Sequence, residues 1–326
     1  MREAVATFQP DVVYVWNLGG LSKSLCLTLQ ELEVPTAFHL SDHWIARSLT
    51  ADVWLDWWNR QKISLPARFL RALWTFTGAR HRWSKVAPTN SISEIRFPRI
   101  CFCSQALRDL TAAKGYAVEH GEVIYCPVDM ERFQGDPVPA ARPLRKLLYV
   151  GQLAEDKGVM TAIKAMLAVQ GKFAGELHIY GKGDADYTAQ LKTFVADHRL
   201  PVFFHSATAA EMPAVYRAHD ALLFTSEWEE PFALTPLEAM ATGLPVIGTM
   251  NGGSKELFRH GQNALTYTAG SPDELARRLI ELDADAAMRA RIAAAGQIEV
   301  RAKFAQPVII DQMERYLVES LPSRPA

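Results

Sequence analysis

The sequence predicts an α/β protein of two domains, each a parallel sheet covered by helices. Short apolar runs alternate almost throughout with stretches whose apolar residues recur at i, i+3 and i+4, the spacing of one helix face. The chain has 326 residues, more than one hydrophobic core usually holds. A polar, proline-rich stretch at 136–145 separates two series of these units and predicts a linker. Repeated strand–helix units favour parallel sheets with both faces covered.

Ten apolar runs have the length and composition of strands. The predicted strands are Val12–Trp16, Thr36–Leu40, Ile100–Cys103, Val123–Cys126, Lys146–Val150, Leu177–Tyr180, Val202–His205, Ala221–Thr225, Val246–Gly248 and Ala264–Tyr267. They define an N-terminal domain at residues 1–135 and a C-terminal domain at residues 146–302, followed by a segment at 303–326 with a predicted helix. No strand with a glycine-rich turn precedes Val12, so the first domain is predicted to be incomplete.

Composition excludes some classes of function. The formal net charge is −1, so global charge gives no indication of nucleic-acid binding. The four cysteines show no C-x-x-C or zinc-type spacing, and we expect reduced core cysteines of a cytosolic protein. No secretory signal is evident, and no apolar run has the length of a membrane span.

Residues 54–99 are unusually rich in tryptophan and basic side chains. The tryptophans are Trp54, Trp57, Trp58, Trp74 and Trp83, among nine arginines and lysines. Pro66 predicts a helix start, with Phe69, Leu70, Leu73 and Trp74 on one face. The favoured interpretation is a helical insertion packed on its own domain with solvated arginines. The second is an interfacial surface that contacts anionic lipid or a lipid-linked substrate.

Two glutamates, Glu230 and Glu238, flank a predicted helix start. Thr235 suits an N-cap and Pro236 the first helical position, and a helix N-terminus binds anions. The pattern fits a ligand with a central phosphate and hydroxyls at both ends, such as a sugar nucleotide. The alternative is structural: Thr235 and Glu238 also have the spacing of a capping box.

Three loops that follow strands are further candidates for the site. In the first, Asp156 is predicted to cap the next helix, with Lys157 in its first turn, where a lysine opposes the helix dipole unless it faces a phosphate. The second contains Gly181 and Gly183, which permit a tight turn or close approach to a ligand. The third, residues 251–256, has two glycines before a predicted serine N-cap.

The acidic pair that follows the second loop is interpreted as a helix start. Asp184 and Asp186 have the D-x-D spacing that holds a metal in some sugar transferases, but acids also favour the first turn of a helix. We predict no catalytic metal and no cofactor.

Together these motifs resemble, in order, the retaining glycosyltransferases of family four, which have the GT-B fold. The resemblance covers residues 100–300 and is carried by Gly151-Gln-Leu with Lys157-Gly158, Leu177-x-Ile-x-Gly-x-Gly183, Met212-x-x-x-Tyr216-x-x-x-Asp220, Glu230-Pro-Phe-x-Leu-x-x-Leu-Glu238-Ala-Met-Ala-x-Gly-x-Pro-Val246, and Gly252-Gly-x-x-Glu256. It implies two Rossmann-like domains, the second of which binds a nucleotide-sugar. It also implies that the last helix crosses back to the first domain.

The resemblance also implies roles for single residues. Lys157 neutralises the donor diphosphate, Glu238 holds the ribose hydroxyls, and Glu230 bonds to the donor sugar. Backbone amides of Phe232, Ala233, Leu234 and Thr235 meet the sugar and phosphate, and Gly151, Gly181 and Gly183 lie along the donor. The leaving diphosphate is stabilised without a metal, and the acceptor attacks with retention of configuration.

The chain departs from the family pattern at several positions. Gln152 stands where the family has an arginine, so leaving-group stabilisation falls mainly on Lys157. Cys126-Pro127 replaces the usual Asn-Gly, and the first strands of the family's N-terminal domain have no counterpart. Of the family's His-Asp pair, Asp42 fits the aspartate. The family's histidine position falls on Ser41, and His39 and His43 close by are both candidates, with His39 alternatively an ordinary strand residue.

The expected function is therefore transfer of a sugar from a nucleotide-sugar to a glycan or lipid-linked acceptor, in polysaccharide or glycolipid assembly. We expect a cytoplasmic protein at the inner membrane face, with peripheral contact through residues 54–99 and self-association at an incomplete sheet edge. Two alternatives stay open: an inactive nucleotide-sugar-binding or scaffold protein, favoured by Gln152, and another GT-B enzyme such as an epimerase or phosphorylase.

Overall fold

A computed structural model describes residues 1–48, 52–139 and 141–321, which form two α/β units. The first unit comprises Met1–Ile124 together with the residues from Gln312 onward, and the second comprises Tyr125–Asp311. The units thus divide after Ile124, before the predicted linker. Residue 140 of that linker lies outside the described residues, as do 49–51 of the predicted first domain and 322–326 of the predicted last segment.

The residues after Ile124 belong with the second unit because of backbone hydrogen bonds. The Val128 amide donates to the Phe304 carbonyl at 2.8 Å, and the Gln306 amide donates to the Val128 carbonyl at 3.0 Å. Phe133 lies edge-on to Tyr216, with ring centroids 5.8 Å apart. These bonds tie residues 125–135 to the second unit.

The first unit contains a four-stranded parallel sheet in the order β1-β2-β3-β4. Its strands are β1 (Val13–Val15), β2 (Thr36–Leu40), β3 (Arg99–Phe102) and β4 (Glu122–Val123). Its helices are α1 (Arg2–Phe8), α2 (Ser24–Glu31), α3 (Trp44–Ser48), α4 (Val53–Asn59), α5 (Leu65–Phe76), α6 (Ala79–Ser84) and α7 (Gln105–Ala113).

The second unit contains a six-stranded parallel sheet in the order β10-β9-β8-β5-β6-β7. Its strands are β5 (Lys146–Val150), β6 (Glu176–Tyr180), β7 (Val202–His205), β8 (Ala221–Phe224), β9 (Val246–Thr249) and β10 (Leu265–Tyr267). Its helices are α8 (Val159–Ala168), α9 (Ala185–Asp197), α10 (Met212–Arg217), α11 (Leu234–Ala241), α12 (Pro272–Ala284) and α13 (Ala286–Lys303). Helix α14 (Gln306–Glu319) begins in this unit and ends in the first.

All ten predicted strands are present, and the parallel α/β class predicted from the sequence is confirmed. The strand that differs most is β4, which has two residues instead of the four expected. Its predicted second half, Tyr125 and Cys126, lies outside β4, and Val128, two residues further on, pairs with Ala305.

The strand order of the second sheet reverses between β5 and β8. The chain runs from β5 through β6 to β7 on one side and then returns to β8 on the other side of β5. In open α/β sheets, ligands bind at the carboxyl ends of the strands flanking such a reversal. The fold alone therefore points to the ends of β5 and β8.

The segment at 54–99 forms α4, α5 and α6, which pack on one another through tryptophans. Trp74 stacks on Trp83 at 5.3 Å between ring centroids and lies 5.8 Å from Trp57, while the Trp54 indole N–H donates to the Pro88 carbonyl at 2.8 Å. Helix α5 contains Pro66 in its first turn, as predicted. In the part of the chain that the structure describes, no helix combines the length and the apolar character that crossing a membrane requires.

Candidate functional site

Two adjoining pockets lie at the carboxyl ends of β5, β6 and β8 in the second unit. A pocket of about 240 Å³ is lined by Tyr149–Gln152, Lys157, Leu223–Ser226, Glu230 and Phe232–Thr235. A second pocket, of about 380 Å³, is lined by Val150–Gln152, Tyr180–Lys182, Ser206, Ala207 and Met212. Both share the turn after β5, so an elongated ligand can lie across Gly151 and Gln152 and enter both. Below we call them the diphosphate pocket and the nucleoside pocket, after the parts of a sugar nucleotide that the resemblance to family four leads us to expect there.

The backbone of Lys157 is fixed from two sides. Residues Glu155–Lys157 form a short 3-10 turn, and Gly158 caps α8 in the left-handed region at φ 64°. The Thr225 hydroxyl donates to the Lys157 carbonyl at 2.9 Å, and a Cβ on Gly158 would lie 2.0 Å from the Thr225 carbonyl oxygen. The prediction that Asp156 caps α8, with Lys157 in its first turn, is wrong. Asp156 lies two residues before the cap, and its carbonyl accepts the amides of Glu227 and Trp228.

Lys157 and Glu230, which are 73 residues apart in sequence, meet in the diphosphate pocket. The Lys157 ammonium lies 2.6 Å from Glu230 Oε1, and the Ser226 hydroxyl donates to the same oxygen at 2.7 Å. The lysine side chain is 24% exposed and the glutamate 15%, so the pair is partly shielded from water. An ammonium has three donors, so Lys157 can hold Glu230 and still bond to an anion in the pocket.

The loop at 251–256 supports the backbone of Glu230. The Gly253 amide donates to the Glu230 carbonyl at 2.8 Å, and a Cβ on Gly252 would lie 2.3 Å from that oxygen. The predicted serine N-cap is wrong: Asn251 is the N-cap of this 3-10 turn, and the Ser254 hydroxyl accepts its amide at 2.9 Å. The two glycines therefore allow close packing against Glu230.

The N-terminus of α11 forms one wall of the diphosphate pocket. The helix begins at Leu234 with Ala233 as the N-cap, so Thr235 and Pro236 are its second and third residues and not its cap and first position as predicted. The amides of the first helical turn have no intrahelical partners, so proline is accepted at any position in that turn. Pro236 therefore could not determine at which residue α11 begins. The amides of Leu234 and Thr235 belong to that turn, and both residues line the pocket.

Glu238 bonds to a buried tyrosine and not to the N-cap amide. The Tyr216 hydroxyl donates to Glu238 Oε2 at 2.7 Å, which rules out the capping-box alternative. Burial raises the pKa of the Glu238 carboxyl above its ordinary value, although the Tyr216 bond and nearby Arg132 lower it. Glu238 is not among the residues that line either pocket.

We expect Tyr216→Phe to lower the free energy of unfolding by about 1.5–3 kcal/mol, the range for hydrogen bonds to charged groups. The tyrosine is fully buried, so the mutation leaves Glu238 with one donor fewer in a low-dielectric site. Urea denaturation of Tyr216→Phe, Glu238→Gln and the double variant measures the coupling. If the losses of unfolding free energy in the two single variants add up to the loss in the double variant, Tyr216 and Glu238 are not coupled and the prediction is wrong.

The same pair predicts how stability changes with pH. Because the folded-state pKa of Glu238 lies above its unfolded value, its ionisation disfavours the folded state as pH rises through that pKa. The free energy of unfolding of Glu238→Gln, relative to that of the parent protein, should therefore be highest at neutral pH. This advantage should disappear as the pH falls below the carboxyl pKa.

Gly181 and Gly183 pack against the turn after β5. A Cβ on Gly181 would lie 1.9 Å from the Gly151 carbonyl oxygen, and one on Gly183 would lie 1.9 Å from the Leu153 carbonyl oxygen. Loop-to-loop packing thus explains both glycines. Gly151, Gly181 and Gln152 line the nucleoside pocket, whereas Gly183 does not.

The D-x-D pair serves as a helix start, as predicted. The Asp184 carboxylate caps α9 by accepting the amides of Asp186 and Tyr187 at 2.9 and 3.1 Å. Across the described ranges, no three His, Cys, Asp or Glu side chains converge as a metal site would require.

His39 and Asp42 lie in the first unit, at the carboxyl end of β2, and each has its own partners. Asp42 accepts the Trp44 amide at 2.8 Å, which starts α3, and the Asn17 amide group at 2.5 Å. His39 Nδ1 lies 2.6 Å from the Tyr14 hydroxyl, and burial lowers the pKa of His39 to about 4, so its imidazole is neutral at pH 7. The Trp16 ring stacks on the imidazole at 6.1 Å.

Sequence reasoning missed Ser226 and the role of Tyr216. Ser226 follows the buried strand β8, and a hydroxyl at the carboxyl end of such a strand was the available signal. The Tyr216 bond to Glu238 joins α10 to α11, a pairing that no local pattern encodes.

Comparison with known proteins shows which proteins this chain is similar to. Residues 137–298 match the family model described as glycosyl transferases group 1. An uncharacterized glycosyltransferase of Methanocaldococcus jannaschii is 31% identical over 133 residues, which cover 40% of this chain and 34% of the relative. The amylovoran biosynthesis glycosyltransferase AmsK of Erwinia amylovora is 28% identical over 215 residues, covering 63% of this chain and 52% of the relative. The match to group 1 glycosyl transferases thus covers about half of this chain.

The chain spans only a third to a half of these relatives' lengths, at 34% and 52%. A solved structure covers more of it: Anabaena HepE in complex with UDP-glucose has a TM-score of 0.71 at 21% identity, over 98% of this chain and 81% of HepE. At this identity the likeness concerns the fold. The fold is of the GT-B type, which confirms the predicted class.

Proposed function

We propose, from the match of residues 137–298 to group 1 glycosyl transferases, that this protein transfers a sugar from a nucleotide-sugar to an acceptor hydroxyl. One observation carries the proposal: Lys157, Glu230 and Ser226 meet in a pocket bounded by the N-terminus of α11, where the strand order reverses. A fixed cation beside helix amides is a built anion site. A carboxylate in the same pocket suits a sugar hydroxyl.

The two pockets divide the donor in this proposal. The nucleoside lies against Gly151, Gln152 and Gly181, the diphosphate contacts Lys157 and the first amides of α11, and the sugar contacts Glu230. Glu238, fixed by Tyr216, binds the ribose hydroxyls on this proposal, and Gly183 holds the turn after β5 in place. HepE was solved with UDP-glucose, which makes it the first donor to test.

Retention and independence from metal are part of the proposal. As the sugar–oxygen bond breaks, negative charge grows on the diphosphate. Lys157 and the α11 amides lie where they can stabilise that charge. Gln152 adds a hydrogen-bond donor but no charge. The acceptor hydroxyl attacks from the face that the diphosphate leaves, which retains the anomeric configuration.

We place the acceptor in the first unit. A pocket of about 1250 Å³ there is lined by the loop at 20–23, by Asp52–Trp54, Asp56, Trp57 and Arg60, and by Ile63 and Trp74. Indole rings suit sugar faces and apolar chains alike. On this proposal the protein acts in polysaccharide or glycolipid biosynthesis, and the neutral His39 and the Asp42 carboxylate are candidates for contacting the acceptor hydroxyl.

A panel of nucleotide-sugars and nucleoside diphosphates tests the proposal by thermal shift, followed by turnover assays. One donor at about 100 times its Kd should stabilise the protein by about 2.7 kcal/mol. The same donor should release its diphosphate when an acceptor is present, in EDTA as well as without it. NMR of the product reports the anomeric configuration.

Other results would replace the proposal. Donor binding without turnover or slow hydrolysis would indicate an inactive nucleotide-sugar-binding protein. Conversion of the donor alone into an isomer would indicate an epimerase. No stabilisation by any nucleotide would contradict the donor site itself.

A further inference from the structure

Helix α5 exposes a continuous apolar face. Leu65, Phe69 and Leu73 recur every four residues, and Phe76 follows on the same side, so they form one stripe along the helix. Phe69 is 73% exposed and Phe76 is 91% exposed. A contiguous exposed apolar patch marks a contact site, whereas scattered exposed residues need no explanation. We call Leu65, Phe69, Leu73 and Phe76 the α5 stripe.

The opposite face of α5 fixes the helix to its neighbours. The Arg71 guanidinium donates to the carbonyls of Trp57, Trp58 and Arg60 at 3.0–3.2 Å, and Trp74 packs among the tryptophans of α4 and α6. The sequence predicted Trp74 on the same helix face as Phe69 and Leu73. In the structure Trp74 instead packs against Trp57 of α4 and Trp83 of α6. The α5 stripe is therefore a preformed surface on a helix anchored from behind.

Positive charge is concentrated in the segment that carries the α5 stripe. Residues 53–88 contain seven lysines and arginines and a single acid, Asp56, which pairs with Arg60 at 2.8 Å. Lys62, Arg68, Arg82 and Lys85 are all exposed. This local excess contrasts with a net charge of −1 for the whole chain. An exposed apolar helix face in a segment rich in exposed cations is the pattern of a helix that lies in the interface of an anionic membrane.

We propose that the α5 stripe and its flanking cations dock this protein on an anionic lipid bilayer. Leu65, Phe69, Leu73 and Phe76 enter the boundary between headgroups and acyl chains, while Arg68 and Arg82 contact lipid phosphates. Charge complementarity selects this occupant over a second copy of the chain, since two such surfaces would bring like charges together. The binding requires no sugar transfer, so its test is separate from that of the enzymatic function.

Flotation with phosphatidylcholine vesicles, with and without phosphatidylglycerol, tests the proposal on the full chain. The parent protein should float with anionic vesicles at low salt and be released at high salt, because the cation–phosphate attraction is screened. It should remain unbound with pure phosphatidylcholine. Equal binding to both kinds of vesicle at any salt concentration would overturn the proposal.

Paired variants separate the two parts of the surface. Arg68→Glu/Arg82→Glu should weaken partitioning at least about tenfold, with Lys172→Glu/Arg301→Glu as the matched charge control. Phe69→Ser/Leu73→Ser should also weaken it at least about tenfold, with Ile298→Ser/Val318→Ser as the control for exposed apolar residues. Circular dichroism verifies folding of each variant.

The competing occupant is a second copy of the chain. Light scattering should show the same mass for the parent and for Phe69→Ser/Leu73→Ser. A dimer that dissociates in that variant, together with no vesicle binding by the parent, would assign the α5 stripe to self-association and overturn the membrane proposal.

Discussion

Lys157→Ala is expected to lower kcat of sugar transfer by about 10²- to 10³-fold, the loss seen when one group that stabilises developing charge is removed. The affinity for the donor should change much less, because the charge on the diphosphate grows only as the sugar leaves. Steady-state kinetics with saturating acceptor, together with calorimetric Kd values for donor and product, separate the two effects.

Lys164→Ala is the matched control, because that lysine is exposed on α8 just beyond the same turn. It should leave kcat and donor affinity unchanged. Equal losses of kcat and affinity in a folded Lys157→Ala protein would mean that the lysine only binds donor. Thermal denaturation shows whether the variant is still folded. We expect it to be, because Glu230 keeps the Ser226 hydroxyl as a partner.

Glu230→Gln is expected to change turnover and product affinity in opposite directions. In the structure Glu230 already neutralises Lys157 at 2.6 Å, so an incoming diphosphate both competes with a carboxylate and is repelled by it. Removing that charge should tighten binding of the nucleoside diphosphate by about tenfold. It should lower kcat by about 10²-fold, because the amide holds Lys157 and the sugar hydroxyl less strongly.

Titration calorimetry with the diphosphate and kinetics with the donor measure both effects. Glu229→Gln, at the exposed neighbouring position, is the control and should alter neither quantity. Tighter product binding also predicts slower release, which pre-steady-state kinetics can distinguish from slower chemistry. Weaker diphosphate binding by Glu230→Gln would show that Glu230 organises the pocket and does not compete for the lysine.

The fold could be predicted from the sequence because its signals are local. Apolar runs such as Leu177–Tyr180 and helix starts such as Asp184 depend on neighbours within a few residues, and the structure contains them as predicted. The unit boundary could not be predicted in the same way. It depends on Val128 bonding to Phe304, a contact between positions 176 residues apart.

The sequence suggested two residues that the structure brings together, but not the other partners of these residues. Lys157 and Glu230 were selected by motif and helix-dipole arguments, and the structure brings them together. The sequence does not state that Ser226 and Lys157 share one carboxylate oxygen of Glu230, or that Tyr216 of α10 bonds to Glu238 of α11. The start of α11 was misplaced because Pro236 is compatible with several positions in a first turn.

The contact between Gly158 and Thr225 restricts how this region can diverge. Any side chain at position 158 would collide with a main-chain oxygen, which every residue at position 225 carries, so no compensating substitution there relieves the clash. A left-handed φ of 64° adds a second obstacle to the same replacement. Relatives with different sugars or acceptors should therefore keep glycine at the position of Gly158, since its geometry is demanded by the main chain and not by the ligand.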